Sequence, residues 1–171
     1  MTTATIRDLP SVQEQLLTAQ KRSPLLARPG FLIRRLHQLH CALFTEETRD
    51  FGITPVQYSL MTALDDRGEL DQNSLALEIG LERTTVADVV LRLRDRGVLE
   101  RRQSAMDGRV RLVKLTRKGK TLLRKMAPAV QRAHDRTVQH LAPQVRDAFL
   151  LQMVRLVEIN NDISNVPLRL P

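Results

Sequence analysis

Basic side chains are concentrated in one part of the sequence. Residues 82–125 contain fourteen Lys or Arg and five Asp or Glu, so this segment carries a formal charge of +9 while the other 127 residues sum to −1. Clustered cations of this kind suit the phosphates that flank a DNA groove. The alternative explanation is a solvated face on which the arginines form salt bridges.

The residue types from Ser74 to Gly97 predict a helix-turn-helix. Ala76 lets a second helix approach closely, Gly80 permits the turn between the helices, and Val86 anchors the second helix. That helix has an apolar stripe and a polar, basic outer face. We expect the outer face to lie in the major groove, where the candidate DNA contacts are Ser74, Arg83, Thr84, Thr85, Asp88 and Arg92.

A basic hairpin is predicted to follow, with strands at about 99–103 and 109–115. Its tip is Ser104–Gly108, where Asp107 and Gly108 would tolerate the positive φ of a hairpin turn. We expect Arg109 to enter the minor groove, and the Asp107 carboxylate to orient Arg109 or to accept hydrogen bonds from amides of the tip. The candidate phosphate contacts are Arg101, Arg102, Arg111 and Lys114.

Helical segments surround this module. Residues 1–28 are predicted to be a flexible arm with a short helix near Val12, residues 29–50 and 117–165 a helical dimerisation region, and residues 51–116 the winged helix-turn-helix domain. Pro128 should bend or break the helix that Thr116 caps. The last helix, about 143–164, is apolar around most of its circumference and needs cover from a second chain, so we expect a homodimer.

Bulk composition narrows the class of protein. The hydrophobic fraction is 42%, yet no apolar run approaches the roughly 20 residues that span a bilayer, so no membrane association is expected. The beginning of the sequence lacks the apolar stretch of a secretory signal. One cysteine, Cys41, excludes an internal disulfide and fits a reducing compartment. We expect a cytoplasmic protein.

The sequence resembles the MarR family of winged helix-turn-helix regulators over roughly residues 29–164. The resemblance lies in Thr54–Tyr58, Leu75–Gly97 and Asp107–Gly119. It implies a mainly α fold with a small β-hairpin wing and a homodimer, usually a repressor, that binds a pseudo-palindromic operator. It also implies release from DNA when a small molecule enters a cleft between the dimerisation and DNA-binding parts. Asp88 and Leu91 depart from the family pattern on the groove face.

An effector site is predicted around the segment from Arg34 to Phe44. Arginine binds carboxylates through two parallel hydrogen bonds, and aromatic side chains can sandwich a ring. The arrangement resembles that of MarR regulators that respond to aromatic carboxylates, which implies that Arg34 and His40 contact the carboxylate of an aromatic acid or its CoA thioester. The other candidate ligand contacts are Phe31, Phe44, Tyr58 and Met61. The alternative is that the arginines form interchain salt bridges and the histidines lie in an interface.

The sequence is also compatible with other functions. His37 and Cys41 are four residues apart but are too few for a tetrahedral metal site, and Cys41 lies on an apolar helix that disfavours a reactive thiolate. No oxyanion site or orienting partner supports an enzyme, so no catalytic residue, metal or cofactor is expected. The alternatives are an architectural DNA-binding protein without ligand control, and a redox- or metal-sensing regulator.

Overall fold

The computed structural model describes residues 10–169, which divide into two compact units between Cys41 and Ala42. Seven α-helices and three short strands lie within these residues. In chain order they are α1 (Val12–Arg22), α2 (Pro29–Thr48), α3 (Pro55–Arg67), β1 (Glu69–Asp71), α4 (Gln72–Ile79), α5 (Arg83–Asp95), β2 (Leu99–Gln103), β3 (Arg111–Leu115), α6 (Arg117–Val138) and α7 (Pro143–Ile159). The expected mainly α fold with a small sheet is confirmed.

The first unit contains more helix than the predicted flexible arm. Ser11 and Glu14 form a capping box at the start of α1, and a 3₁₀ turn, Pro24–Ala27, follows after Ser23. The reciprocal hydrogen bonds of a capping box satisfy amides that a helix start otherwise leaves unpaired. The capping box fixes the start of α1, and the helix continues to Arg22, beyond the short helix expected. The expectation for residues 1–9 lies outside the described residues.

The helix-turn-helix is built on local caps and a shared apolar core. Thr54 and Gln57 form a capping box at the start of α3, and Asp71 caps α4. Gly80 follows α4 with φ of 64°, in the left-handed region that glycine adopts without strain. Val86, Val90, Leu93, Leu75 and Met61 are among the fully buried side chains of the core.

A three-stranded antiparallel sheet, in the order β1-β3-β2, carries the wing. The hairpin strands pair in the register Leu99↔Leu115 to Gln103↔Arg111, so β3 begins two residues later than predicted. The third strand, β1, was not expected from the sequence. It pairs with β3 in the register Glu69↔Lys114 to Asp71↔Leu112 and joins the wing to the start of α4.

Helix α6 begins at a tight junction with the wing. The Thr116 hydroxyl accepts a hydrogen bond from the Gly119 amide, and a Cβ at Gly119 would overlap the carbonyl oxygen of Val98. Pro128 was expected to bend or break this helix, and a break is wrong, because α6 continues through it to Val138. Pro128 is exposed, so water can satisfy the carbonyl that loses its partner.

Helix α7 has no buried residue within the described chain. Leu156 is 59% exposed and Ile159 is 80% exposed, although the helix is rich in leucine, valine and isoleucine. Contiguous exposed apolar surface on this scale marks an interaction site. No helix within residues 10–169 is both long enough and apolar enough to cross a bilayer.

Candidate nucleic-acid interface

Helix α5 presents a polar outer face. Val86, Val90 and Leu93 fix its inner face because all three are fully buried. The remaining candidates on α5 are all exposed: Arg83, Thr84, Thr85, Asp88 and Arg92. The predicted division of the helix into a core stripe and an outer face therefore agrees with the structure.

Ser74, the candidate contact on α4, is engaged by the cap of its own helix. Its hydroxyl donates to Asp71 Oδ2 at 2.6 Å, and its amide donates to Asp71 Oδ1 at 3.1 Å. The hydroxyl oxygen keeps only its capacity to accept. Ser74 thus has a structural role that the sequence analysis did not foresee, and its contact with DNA remains a prediction.

The hairpin tip is closed by side chains. Asp107 Oδ1 accepts from the Arg109 amide at 2.9 Å, which confirms that the carboxylate satisfies an amide of the tip. The predicted positive φ at Asp107 and Gly108 is wrong, since neither residue has one. Space at position 108 is tight, because a Cβ there would lie 3.0 Å from Gln103 Nε2, the end of a flexible side chain that would have to shift slightly.

One predicted phosphate contact is neutralised within the sheet. Arg102 donates from Nε to Glu69 Oε2 at 2.7 Å, and its Nη2 contacts Glu69 Oε1. The hydrogen bonds from Arg102 lower the pKa of the Glu69 carboxyl. Lys114 likewise pairs with Glu100 at 3.1 Å. These two cations are therefore less available for phosphates than the sequence suggests.

Five other arginines are exposed, and within residues 10–169 none of them joins an ion pair. Three lie on the hairpin, Arg101, Arg109 and Arg111, and two lie on α5, Arg83 and Arg92. They carry the unpaired positive charge of the hairpin and of the outer face of α5. We call these five residues the free arginine set.

The effector candidates Phe31, Arg34 and His40 belong to the first unit. The Arg34 guanidinium lies over the Phe31 ring, 5.3 Å from its centroid. Cys41 Sγ lies 3.5 Å from His37 Nε2. Within the described residues no three His, Cys, Asp or Glu side chains are grouped so as to hold a metal ion.

Arg34 and His40 do not share one side of α2. Residues six apart on a helix are separated by about 120° around its axis. His37, three residues from Arg34, lies about 60° from it, so it is closer than His40 to the side of α2 that carries Arg34. The sequence analysis did not pair His37 with Arg34, although a three-residue spacing places two side chains on one side of a helix.

The effector candidates of the second unit are mainly core residues. Phe44 is 2% exposed and Met61 is 0% exposed, so both fill the hydrophobic core. A sandwich formed by these two side chains would require the core to open, because packed interiors leave no room for a ring. Tyr58 is partly buried, which raises the pKa of its hydroxyl, and its ring meets Phe44 edge-on at 5.9 Å.

A helix-turn-helix with an exposed polar second helix and a basic hairpin defines a winged helix-turn-helix protein. A model of the MarR family matches residues 53–110. The chain is also 31% identical to the PcaV transcriptional regulator of Streptomyces coelicolor, solved in complex with its natural ligand; the match covers 78% of this chain and 94% of PcaV, with a TM-score of 0.71. The chain belongs to the MarR family of transcriptional regulators.

Two further relatives are similar over most of their length. The HTH-type transcriptional repressor NicR of Pseudomonas putida is 27% identical over 129 residues, which cover 75% of this chain and 82% of NicR. BpsR of Bordetella bronchiseptica, whose structure concerns the regulation of its DNA binding by 6-hydroxynicotinic acid, is 29% identical. That match covers 75% of this chain and 92% of BpsR, with a TM-score of 0.72.

Proposed function

We propose that this protein is a repressor that binds a pseudo-palindromic DNA operator as a homodimer and leaves it when an aromatic carboxylate or its CoA thioester binds. The observation that carries the proposal is the free arginine set on one recognition helix and one hairpin. Because the operator would be part of the chromosome, we expect the protein to act in the cytoplasm.

In the DNA-binding step, different members of the free arginine set contact different parts of the DNA. Arg109 lies at the hairpin tip, where Asp107 holds its amide. Its side chain is exposed and joins no ion pair within residues 10–169, so it is available for the minor groove. Arg101 and Arg111 on the hairpin strands are placed for phosphates, which position the protein without reading sequence. Helix α5 would then supply the contacts to base edges in the major groove.

DNA binding is tested by fluorescence anisotropy with the duplex upstream of the protein's own gene and with a random duplex. A specific regulator should prefer the first by at least about 10³ at fixed salt. If each protomer of a dimer used its five free arginines on phosphates, the plot of log K against log salt would be no steeper than about −9. Equal affinity for both duplexes would indicate an architectural protein instead.

The wing is tested with Arg109→Ala. Operator binding should weaken by about 1–3 kcal/mol, because a base-contacting arginine would be lost. Arg22→Ala is the matched control, since Arg22 is an exposed arginine on α1, outside the hairpin, α5 and the proposed dimerisation region. Equal affinity of both variants and the wild-type protein would remove the wing from the mechanism.

Dimerisation follows from the exposed apolar surface of α7. A twofold interface would cover Val154, Val157 and their neighbours. It would also place two DNA-binding domains on adjacent half-sites. Sedimentation should show a dimer, and Val154→Glu should shift it towards monomer and reduce operator affinity. Gln152→Glu, an exposed change on the same helix, should do neither. A wild-type monomer at the concentrations used for DNA binding would contradict this step.

The effector step is supported by the cation–π contact between Arg34 and Phe31, and by the similarity to BpsR, whose DNA binding is regulated by 6-hydroxynicotinic acid. A guanidinium stacked on a ring keeps its N–H groups free for a carboxylate. Thermal shift with benzoates, hydroxycinnamates, hydroxynicotinate, indole acids and their CoA thioesters should reveal stabilisation by at least one class. Arg34→Ala should abolish it, whereas Arg35→Ala should retain it because Arg35 bonds Gln38. Absence of any stabilisation would count against ligand control.

A further inference from the structure

We propose that Asp88 selects a cytosine in each half-site of the operator by accepting a hydrogen bond from the cytosine N4 amino group. The inference rests on the proposed DNA-binding function and adds to it the base that one residue reads. It concerns an exposed acidic residue on the polar, basic outer face of α5.

Asp88 lies at the centre of the outer face of α5. The inner face is marked by Val86, Val90 and Leu93, which are fully buried. At 100° per residue, Asp88 is between about 140° and 160° from each of these three around the helix axis. Thr84 and Arg92, one turn before and one turn after, are exposed beside it. A helix laid in the groove by this face therefore directs Asp88 at the base edges.

The Asp88 carboxylate is not neutralised within the described chain. Arg92 is four residues away, at the spacing that favours a helical ion pair, yet residues 10–169 contain no ion pair or hydrogen bond from the Asp88 side chain. By contrast, Asp95 on the same helix is held by Arg94 at 2.8 Å. Asp88 thus keeps all its acceptor capacity on the surface that faces the DNA.

An unpaired carboxylate among phosphates is unfavourable unless it meets a hydrogen-bond donor. The major groove offers amino donors only on cytosine N4 and adenine N6. Adenine places the acceptor N7 beside its amino group, which would repel the second carboxylate oxygen, whereas cytosine presents no acceptor there. The carboxylate therefore favours a C·G pair and disfavours the acceptor edges of guanine and thymine.

The test begins with selection of preferred duplexes from a random pool by the wild-type protein, Asp88→Ala, Asp88→Asn and Asp95→Ala. The wild-type half-site should contain a fixed cytosine. Asp88→Ala should lose that preference, and Asp88→Asn should shift it towards adenine, which asparagine binds through N6 and N7. Asp95→Ala removes a carboxylate from the same helix and should keep the cytosine.

Direct binding then probes the amino group itself. Replacing the selected cytosine by 2-pyrimidinone, which lacks the exocyclic amine, should weaken wild-type binding by about 5- to 100-fold. The same replacement should leave Asp88→Ala binding nearly unchanged. Because Asp88 is exposed, all variants should melt close to the wild-type temperature, and melting is measured alongside.

Two results would overturn the proposal in distinguishable ways. If Asp88→Ala binds every duplex more tightly and keeps the wild-type base preference, the carboxylate only reduces general affinity, while the protein remains a sequence-specific regulator. If the wild-type protein enriches no sequence at all, both the base contact and the proposed operator recognition are rejected.

Discussion

Removal of the Asp71 cap tests how the helix-turn-helix is held together. Asp71 Oδ1 accepts from the amides of Asn73 at 2.9 Å and Ser74 at 3.1 Å, and Oδ2 accepts from the Ser74 hydroxyl at 2.6 Å. The side chain therefore satisfies two of the amides that a helix start leaves unpaired. Helix α4 has only eight residues, so it depends on such contacts more than a long helix does.

Asp71→Ala should lower the free energy of unfolding by about 1–2 kcal/mol, in the range measured for N-cap removal. With a urea m-value of about 2 kcal/mol/M, the midpoint should fall by about 0.5–1 M. The measurement is urea unfolding followed by circular dichroism at one fixed protein concentration, because dimer stability depends on concentration. Asn73→Ala is the control, since Asn73 contributes its backbone amide to the cap and its change should shift the midpoint little.

The charge of the cap predicts a pH dependence. Burial opposes ionisation of Asp71, but the hydrogen bonds from Ser74 and Asn73 outweigh it and lower the pKa of the carboxyl below 3.8. A lowered native pKa means that the stabilisation is present above the unfolded value and is lost as the pH falls through the native value. Asp71→Asn keeps a cap without titrating, so the wild-type advantage over it should begin to shrink near the unfolded pKa of about 3.9 and vanish only below the lower native pKa. An advantage that stays constant from pH 6 to pH 3, or an unchanged midpoint for Asp71→Ala, would refute the reasoning.

Three other changes have expected outcomes. Gly119→Ala should destabilise the protein by about 1–3 kcal/mol in urea unfolding, because the new methyl group meets the Val98 carbonyl. Asn161→Ala should lower stability by about 1–2 kcal/mol, since its side chain makes two hydrogen bonds to the Leu168 backbone; Asn165→Ala should not. Glu69→Gln should release Arg102 and steepen the salt dependence of DNA binding by about 0.9 per phosphate gained, and an unchanged slope would contradict this.

Elements whose ends are fixed by neighbouring residues in the chain could be predicted from the sequence. Helix α4 runs from Gln72 to Ile79, between Asp71, a residue type that favours a helix N-cap, and Gly80, which was expected to permit the turn. Both caps act through hydrogen bonds or backbone conformation within a few residues, so their signals are present in the local sequence. The strand Leu99–Gln103 was predictable for the same reason, because the hairpin pairs residues that are close in the chain.

Features that depend on distant residues were not predictable. Strand β1 has three residues, too few for a periodic pattern, and it exists because it pairs with β3 more than forty residues later. The burial of Phe44 and Met61 was missed because residue type alone does not separate a core side chain from one that lines a pocket. The depth of a core position is set by the elements that pack around it.

The same limit explains why the basic segment overstates the charge available to DNA. A count from the sequence treats every cation as equal. In the structure, Arg102 pairs with Glu69 and Lys114 pairs with Glu100. The pair between Arg102 and Glu69 joins residues that are thirty-three apart, beyond any local rule for salt bridges. Asp88 is the converse case, because this exposed acidic residue has no ion-pair partner among residues 10–169, and we propose that it meets a base edge. The charge that this face offers to DNA therefore depends on which side chains the fold leaves unpaired rather than on how many charged residues the segment contains.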